Sequence, residues 1–155
     1  MRKTDLADFE SRMGPAAVAK PLTDTLGLAD FALNYYELAP SDSFAFGYHA
    51  HENQEEVFYI LSGTVTFETE DGQVEVSAGE FIRFAPGEYQ RGVNKGSERV
   101  KALAMGAPQE AGETDILRHC DSCQTETSQE IELTEDNDAV ICRCTECGTI
   151  TGRYE

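Results

Sequence analysis

The sequence predicts an all-β protein with a small second unit at its C-terminus. Three observations point there. Short apolar runs recur at close intervals from residue 31 onward, separated by turn signals and without helical periodicity between them. Two histidines, His49 and His51, stand one residue apart, and a carboxylate, Glu56, opens the next apolar run. All five cysteines fall in the last third of the chain, four of them as two Cys-x-x-Cys pairs.

Residues 1–30 read as an N-terminal arm. Thr4 is a candidate N-cap, and Leu6, Phe9 and Met13 recur at helical spacing, so residues 1–13 suit either a short helix or a loose arm. Gly14-Pro15, Pro21 and Gly27 make residues 14–30 irregular chain wrapped around a domain.

Residues 31–106 are expected to form the main domain. Its strands are read at Phe31–Leu38, Ser43–His51, Val57–Leu61, Thr64–Thr69, Gln73–Val76, Phe81–Phe84 and Arg99–Met105. Glu70-Asp71-Gly72 is a hairpin signal, and Ser77-Ala78-Gly79 and Pro86-Gly87 are turns. A continuous strand over 43–51 would put Phe44, Phe46 and Tyr48 on one face and Ala45, Gly47, His49 and His51 on the other. The small residues would then leave room for a ligand beside the histidines. The aromatic face would pack elsewhere, a neighbouring subunit of a homodimer included.

Two imidazoles on one strand face, with Glu56 brought back by the turn Glu52–Glu55, suit a divalent transition metal. The same stretch resembles the first motif of the cupins: a glycine, His-x-His, three or four residues, a glutamate, six residues, a glycine. Gly63 follows Glu56 by that gap, which selects Glu56 over Glu55 as the acidic ligand, whereas Gly47 stands closer to His49 than the family's opening glycine does. The second motif has its counterpart from Gly79 to Asn94, with Gly79, Gly87 and Asn94 in register and Ala85-Pro86 shifting the usual proline by one place. The family's remaining histidine ligand is Gln90 here. The resemblance implies a jelly-roll β-barrel over residues 31–106 and a barrel metal held by His49, His51, Glu56 and Gln90. An amide oxygen is a harder and weaker donor than imidazole. Gln90 therefore either ligates loosely, leaves a position open for water or substrate, or marks a site that binds a small molecule without metal. Asn34, Tyr36, Arg83, Tyr89, Arg91 and Asn94 are the other polar residues placed near this site.

Gly106–Glu113 is linker-like in composition, and residues 107–116 are taken as the linker to a tail, 117–155. Cys120-x-x-Cys123 and Cys144-x-x-Cys147 flank a hairpin, Gln129–Thr134 and Ala139–Cys142, about an acidic turn, Glu135–Asp138. This is the spacing of a four-cysteine zinc site, and the tail resembles a zinc ribbon. Gly148 relieves the second knuckle. Cys142 reads as a small buried residue, and His119 is a weak rival ligand. So short a segment needs the metal to fold.

Charge narrows the partners. The chain has 155 residues, with 29 Asp and Glu against 12 Lys and Arg, a net charge of −17 and a pI near 4.4. Such a field repels nucleic acid, and the basic residues are scattered singly. The lysine-poor acidic surface resembles those of halophilic organisms, whose salt screens the repulsion. No apolar run approaches the roughly 20 residues of a spanning helix, so no membrane partner is expected. Arg2 and Lys3 are followed by no apolar stretch, so no secretory signal is read and a cytoplasmic location is expected. Two functions remain: a metal-dependent enzyme (oxygenase, isomerase or decarboxylase) on a small oxygenated molecule, or a non-catalytic ligand-binding or sensing module whose ribbon mediates protein contacts.

Overall fold

The computed structural model describes residues 1–155. Its strands are β1 (Val18–Pro21), β2 (Ala32–Leu38), β3 (Tyr48–His51), β4 (Glu55–Ser62), β5 (Thr64–Thr69), β6 (Gly72–Ser77) and β7 (Phe81–Phe84). They continue with β8 (Gln90–Val93), β9 (Val100–Ala107), β10 (Thr114–Cys120), β11 (Thr125–Leu133), β12 (Val140–Cys144) and β13 (Ile150–Tyr154). One short helix, α1 (Thr23–Leu26), ends at Gly27, whose φ of 66° is left-handed. No helix is long and apolar enough to cross a membrane.

The strands form two sheets, ordered β1-β2-β9-β4-β7 and β13-β12-β11-β10-β3-β8-β5-β6. The core lies between their inner faces. Along β9, Val100, Ala102 and Ala104 are buried while Lys101 is exposed, the alternation a half-buried strand requires. The small alanines make room for an aromatic cluster. Phe44 stacks on Phe58 with centroids 4.8 Å apart, Phe67 lies 5.1 Å from Phe58, and Phe84 lies 5.4 Å from Phe67. Burying each such ring stabilises the fold by about 1.5–3 kcal/mol.

Three expectations are corrected. The strand read over Ser43–His51 is confined to Tyr48–His51, with bends over residues 44–47 and one isolated bridge, Ser43 to Val93. The chain turns there because Ser43 Oγ donates to the Ala45 carbonyl and Phe44 N donates to Gly92 O. The aromatic face therefore does not exist: Phe44 enters the core, Phe46 packs edge-on against Tyr154, and Tyr48 stacks on Tyr89. Second, the N-terminal helix reduces to a 3-10 turn, Leu6–Asp8, capped by Asp5 rather than Thr4. Third, residues 14–30 are not wholly irregular, since β1 adds to the edge of β2 and α1 follows it.

The C-terminal strands are continuous with the barrel. Thr114 to Ile116, placed by composition in a linker, lie in β10, which pairs antiparallel with β3 in the register Thr114↔His51 and Ile116↔His49. The close approach explains Gly47, where a Cβ would lie 2.6 Å from the Leu117 carbonyl oxygen. Arg118 of β10 staples three segments: its guanidinium donates to the Phe46 carbonyl, to Tyr154 Oη at 2.8 Å and to Thr151 O at 2.9 Å. The expected hairpin is β11 and β12, and β13 adds a strand that composition did not suggest.

Candidate metal centre

The barrel site is assembled from three strands. His49 and His51 share one face of β3, Glu56 comes from β4, and Gln90 comes from β8 opposite His49. One ligand atom each from His49, His51 and Glu56 falls within 4.8 Å of the others. Glu56 Oε2 lies 3.9 Å from His49 Nε2 and 3.6 Å from His51 Nε2.

Each histidine is held from behind through Nδ1, and its Nε2 faces the cluster. His49 Nδ1 lies 3.2 Å from the Gly47 carbonyl and must carry the proton to bond it. His51 Nδ1 lies 2.9 Å from Thr114 Oγ1. The carbonyl fixes His49 with its Nε2 lone pair at the centre, and the Thr114 hydroxyl can accept from His51 Nδ1 and so hold the same tautomer, the one a metal ligand needs. Burial, ahead of the neighbouring His51, holds the His49 pKa below its ordinary value against the pull of Glu56. His49 is thus neutral at pH 7.

Gln90 is 2 % exposed. Its Nε2 donates to Glu56 Oε2 at 3.0 Å and to His49 Nε2 at 3.2 Å, and its Oε1 is buried with no partner. A buried carbonyl oxygen left unpaired is costly. Rotating the amide by half a turn would aim that oxygen into the cluster, where only a cation could satisfy it together with Glu56. The donor set, two imidazole nitrogens with a carboxylate and an amide oxygen, fits a divalent transition metal.

A cavity of about 270 Å³ opens beside the cluster, lined by Asn34, Tyr36, Gln54, Phe46, Phe58 and Ile116 among others. Burial, reinforced by Glu56, pushes the Tyr36 hydroxyl up to about 12. Gln54, which donates to Pro108 O at 2.7 Å, escaped the sequence reading, as did Thr114 and Ile116. Composition hid the last two, because Gly106–Glu113 carries turn residues and the β10 register cannot be read from periodicity over so short a run.

The remaining polar candidates lie elsewhere. Arg83 is on the surface and pairs with Glu55 at 2.6 Å. Tyr89 donates to Asp115 at 2.5 Å, a bond that raises its pKa to about 12. Arg91 lies 4.0 Å from Glu68, and Asn94 ties the Leu38 and Glu98 carbonyls.

The cysteines form a second cluster. The sulfurs of Cys120, Cys123, Cys144 and Cys147 lie within 4.8 Å of one another, with Cys120 Sγ 3.5 Å from Cys147 Sγ and Cys123 Sγ 3.9 Å from Cys144 Sγ. The two knuckles are alike. Gln124 N donates to Cys120 O at 2.8 Å and Gly148 N donates to Cys144 O at 2.9 Å, and both residues have positive φ, 58° and 76°. The Thr127 hydroxyl, 3.1 Å from Cys144 Sγ, lowers that thiol to about 6, and Thr149 lowers Cys147. Hydrogen bonding with Cys147, followed by desolvation, raises Cys123 to about 12. Four thiolates this close need a cation between them to ionise together. Cys142 is fully buried outside the cluster, and burial raises its thiol. His119 is exposed, 3.6 Å from Asp121.

Comparison with known proteins accords with this architecture. Residues 34–106 match the Cupin domain family model, and the fold is a mostly antiparallel, cupin-type β-barrel. A sugar phosphate isomerase from Silicibacter pomeroyi superposes with a TM-score of 0.61 at 20% identity, over 96% of this chain and 91% of that chain. That coverage takes in the C-terminal strands as well as the barrel. A polyketide cyclase from Streptomyces resistomycificus gives a TM-score of 0.65 at 26% identity, over 78% of this chain and 88% of that chain. A cupin protein from Bacteroides fragilis gives 0.54 at 20%, over 68% and 89%. No curated protein matches the sequence.

Proposed function

We propose that this protein is a metal-dependent enzyme acting on a small oxygenated molecule, in a cytoplasm of high salt. The observation that carries the reading is the convergence of His49, His51 and Glu56 around a point that the orphaned Gln90 oxygen can also reach. A divalent metal, when bound there, would polarise a substrate oxygen or exchange electrons with the substrate. His49 and His51 would hold it through Nε2 and Glu56 through a carboxylate oxygen, with Gln90 as the weak fourth donor. The Tyr36 hydroxyl stays protonated at neutral pH and donates to a substrate oxygen. Phe46, Phe58 and Ile116 exclude water. Sugar phosphate isomerase and polyketide cyclase are the activities named for two similar structures, and both act on oxygenated carbon compounds.

The tail is read as a zinc-ribbon-like unit in which Cys120, Cys123, Cys144 and Cys147 hold one structural zinc. A second reading, a ligand-binding module without catalysis, rests on one observation. The Gln90 amide hydrogen-bonds to Glu56 and to His49, engaging the same atoms that would ligate a metal. Elemental analysis of protein purified at high salt separates the two. The enzyme reading expects two metals per chain, one of them redox-active or Lewis-acidic. Zinc alone, at about one per chain, supports the module.

A further inference from the structure

The outer face of the five-stranded sheet is left open over β9, β4 and β7. Strand alternation sends Phe58, Ile60, Ala102 and Ala104 into the core, and Val57, Tyr59, Leu103 and Met105 to the opposite face. Cross-strand register joins the outer set. Tyr59 stands opposite both Leu103 and Phe81, and Val57 opposite Met105. Phe81 stacks on Tyr59 with centroids 4.3 Å apart and is still 64% exposed. Leu61, at the β4 bulge, is 42% exposed. A single apolar side chain in the open is ordinary, but a continuous apolar band across three paired strands marks an interaction surface.

Charge and size say what covers it. The chain carries a net charge of −17, so most of its surface repels a copy of itself. On this face the charges cancel. Arg83 pairs with Glu55 at 2.6 Å at one end of β4. At the other end Arg99 pairs with Glu37 at 2.9 Å, and Lys101 lies 4.0 Å from the same carboxylate. Three cations thus meet two carboxylates, and the face carries none of the acidic excess. A strongly basic partner would be drawn to the acidic remainder instead. Strands spaced about 4.8 Å apart and rising about 3.3 Å per residue make the whole sheet face roughly 20 by 25 Å. Side-chain relief brings that area towards the ~800 Å² per partner of a stable dimer.

We propose that a second copy of this chain covers this face, in a two-fold dimer that packs the two outer sheets together about Tyr59 and Phe81. Each copy presents the same patch, as an isologous contact requires. The acidic excess of both copies then points away from the contact. Apolar burial holds the dimer and the remaining carboxylates oppose it. Association therefore strengthens with salt, the reverse of a contact held by ion pairs.

Sedimentation equilibrium of the full chain, in molar potassium chloride and in dilute buffer, tests this. The wild type is expected to be a dimer in molar salt and to shift towards monomer in dilute buffer. Phe81→Glu puts a carboxylate where the copies meet and should weaken the dimer by at least about thirtyfold, the effect of losing a central contact. Leu61→Glu, exposed on the same face, should act in the same direction and repeats the test if Phe81→Glu fails to fold. Val74→Glu adds the same charge at an exposed apolar position of β6, in the other sheet, and should leave the dimer unchanged. A wild type that stays monomeric in molar salt leaves the face to a different partner and overturns the proposal. A dimer that both Phe81→Glu and Leu61→Glu leave as tight as before, or that Val74→Glu weakens as much as they do, overturns it equally.

Discussion

Thr114 Oγ1 lies 2.9 Å from His51 Nδ1, although 63 residues separate the two in sequence. The hydroxyl belongs to the first residue of β10, the strand whose last residue, Cys120, enters the sulfur cluster. One strand thus supports a histidine of the barrel at one end and a thiol of the tail at the other. Asp115, beside Thr114, ties the same strand to Tyr89 and to Ser128.

Removing this support should loosen the barrel metal. Thr114→Val should weaken it by ~10–100-fold, the usual cost of losing the partner behind a ligating histidine. Thr114→Ser should restore most of the affinity. Competition with a chelator of known strength measures both, and equal affinities for the valine and wild-type proteins would remove Thr114 from the site.

Loss of the tail metal should be felt in the barrel. Cys120→Ser should cost about one zinc per chain, since structural zinc needs all four thiolates. The end of β10 should then become sensitive to protease, and the barrel should bind its metal more weakly. Cys142→Ser, outside the cluster, should keep its zinc. Intact zinc in the Cys120 variant would refute the four-cysteine site.

The donor at residue 90 should tune metal preference. Gln90→His should tighten nickel, copper and zinc more than manganese, because imidazole favours the former. Gln90→Ala should cost less affinity than loss of either histidine. Parallel calorimetric titrations compare the series, and an alanine variant as impaired as a histidine variant would make Gln90 an essential ligand.

Screening should govern stability. With 29 acidic against 12 basic residues, carboxylate repulsion grows as salt is withdrawn. The melting temperature should fall from molar potassium chloride to dilute buffer. Coincident melts would argue against a protein adapted to high salt.

Much of this was legible in the sequence because the signals were local. The i, i+2 histidines, the two Cys-x-x-Cys pairs and the strands Thr64–Thr69 and Phe81–Phe84 each reside in a few consecutive residues. What escaped depended on distant pairing. Thr114 and Ile116 join the site only because β10 adopts its register against β3. The bends after Ser43 come from contacts with Gly92 and Val93, so alternation alone gave Phe44 the wrong face. Gln54 matters because it fills the space above Gly106, where a Cβ would lie 2.3 Å from its amide carbon.

The central claim is that His49, His51 and Glu56 hold a metal in the barrel. Titrating cobalt into wild-type and His51→Ala proteins, each with the tail already filled with zinc, tests it directly. The wild type should bind one further equivalent with visible bands of nitrogen and oxygen ligation, and the variant should lose that binding. A variant that takes up the second metal as tightly as the wild type would show that the cluster is not its site.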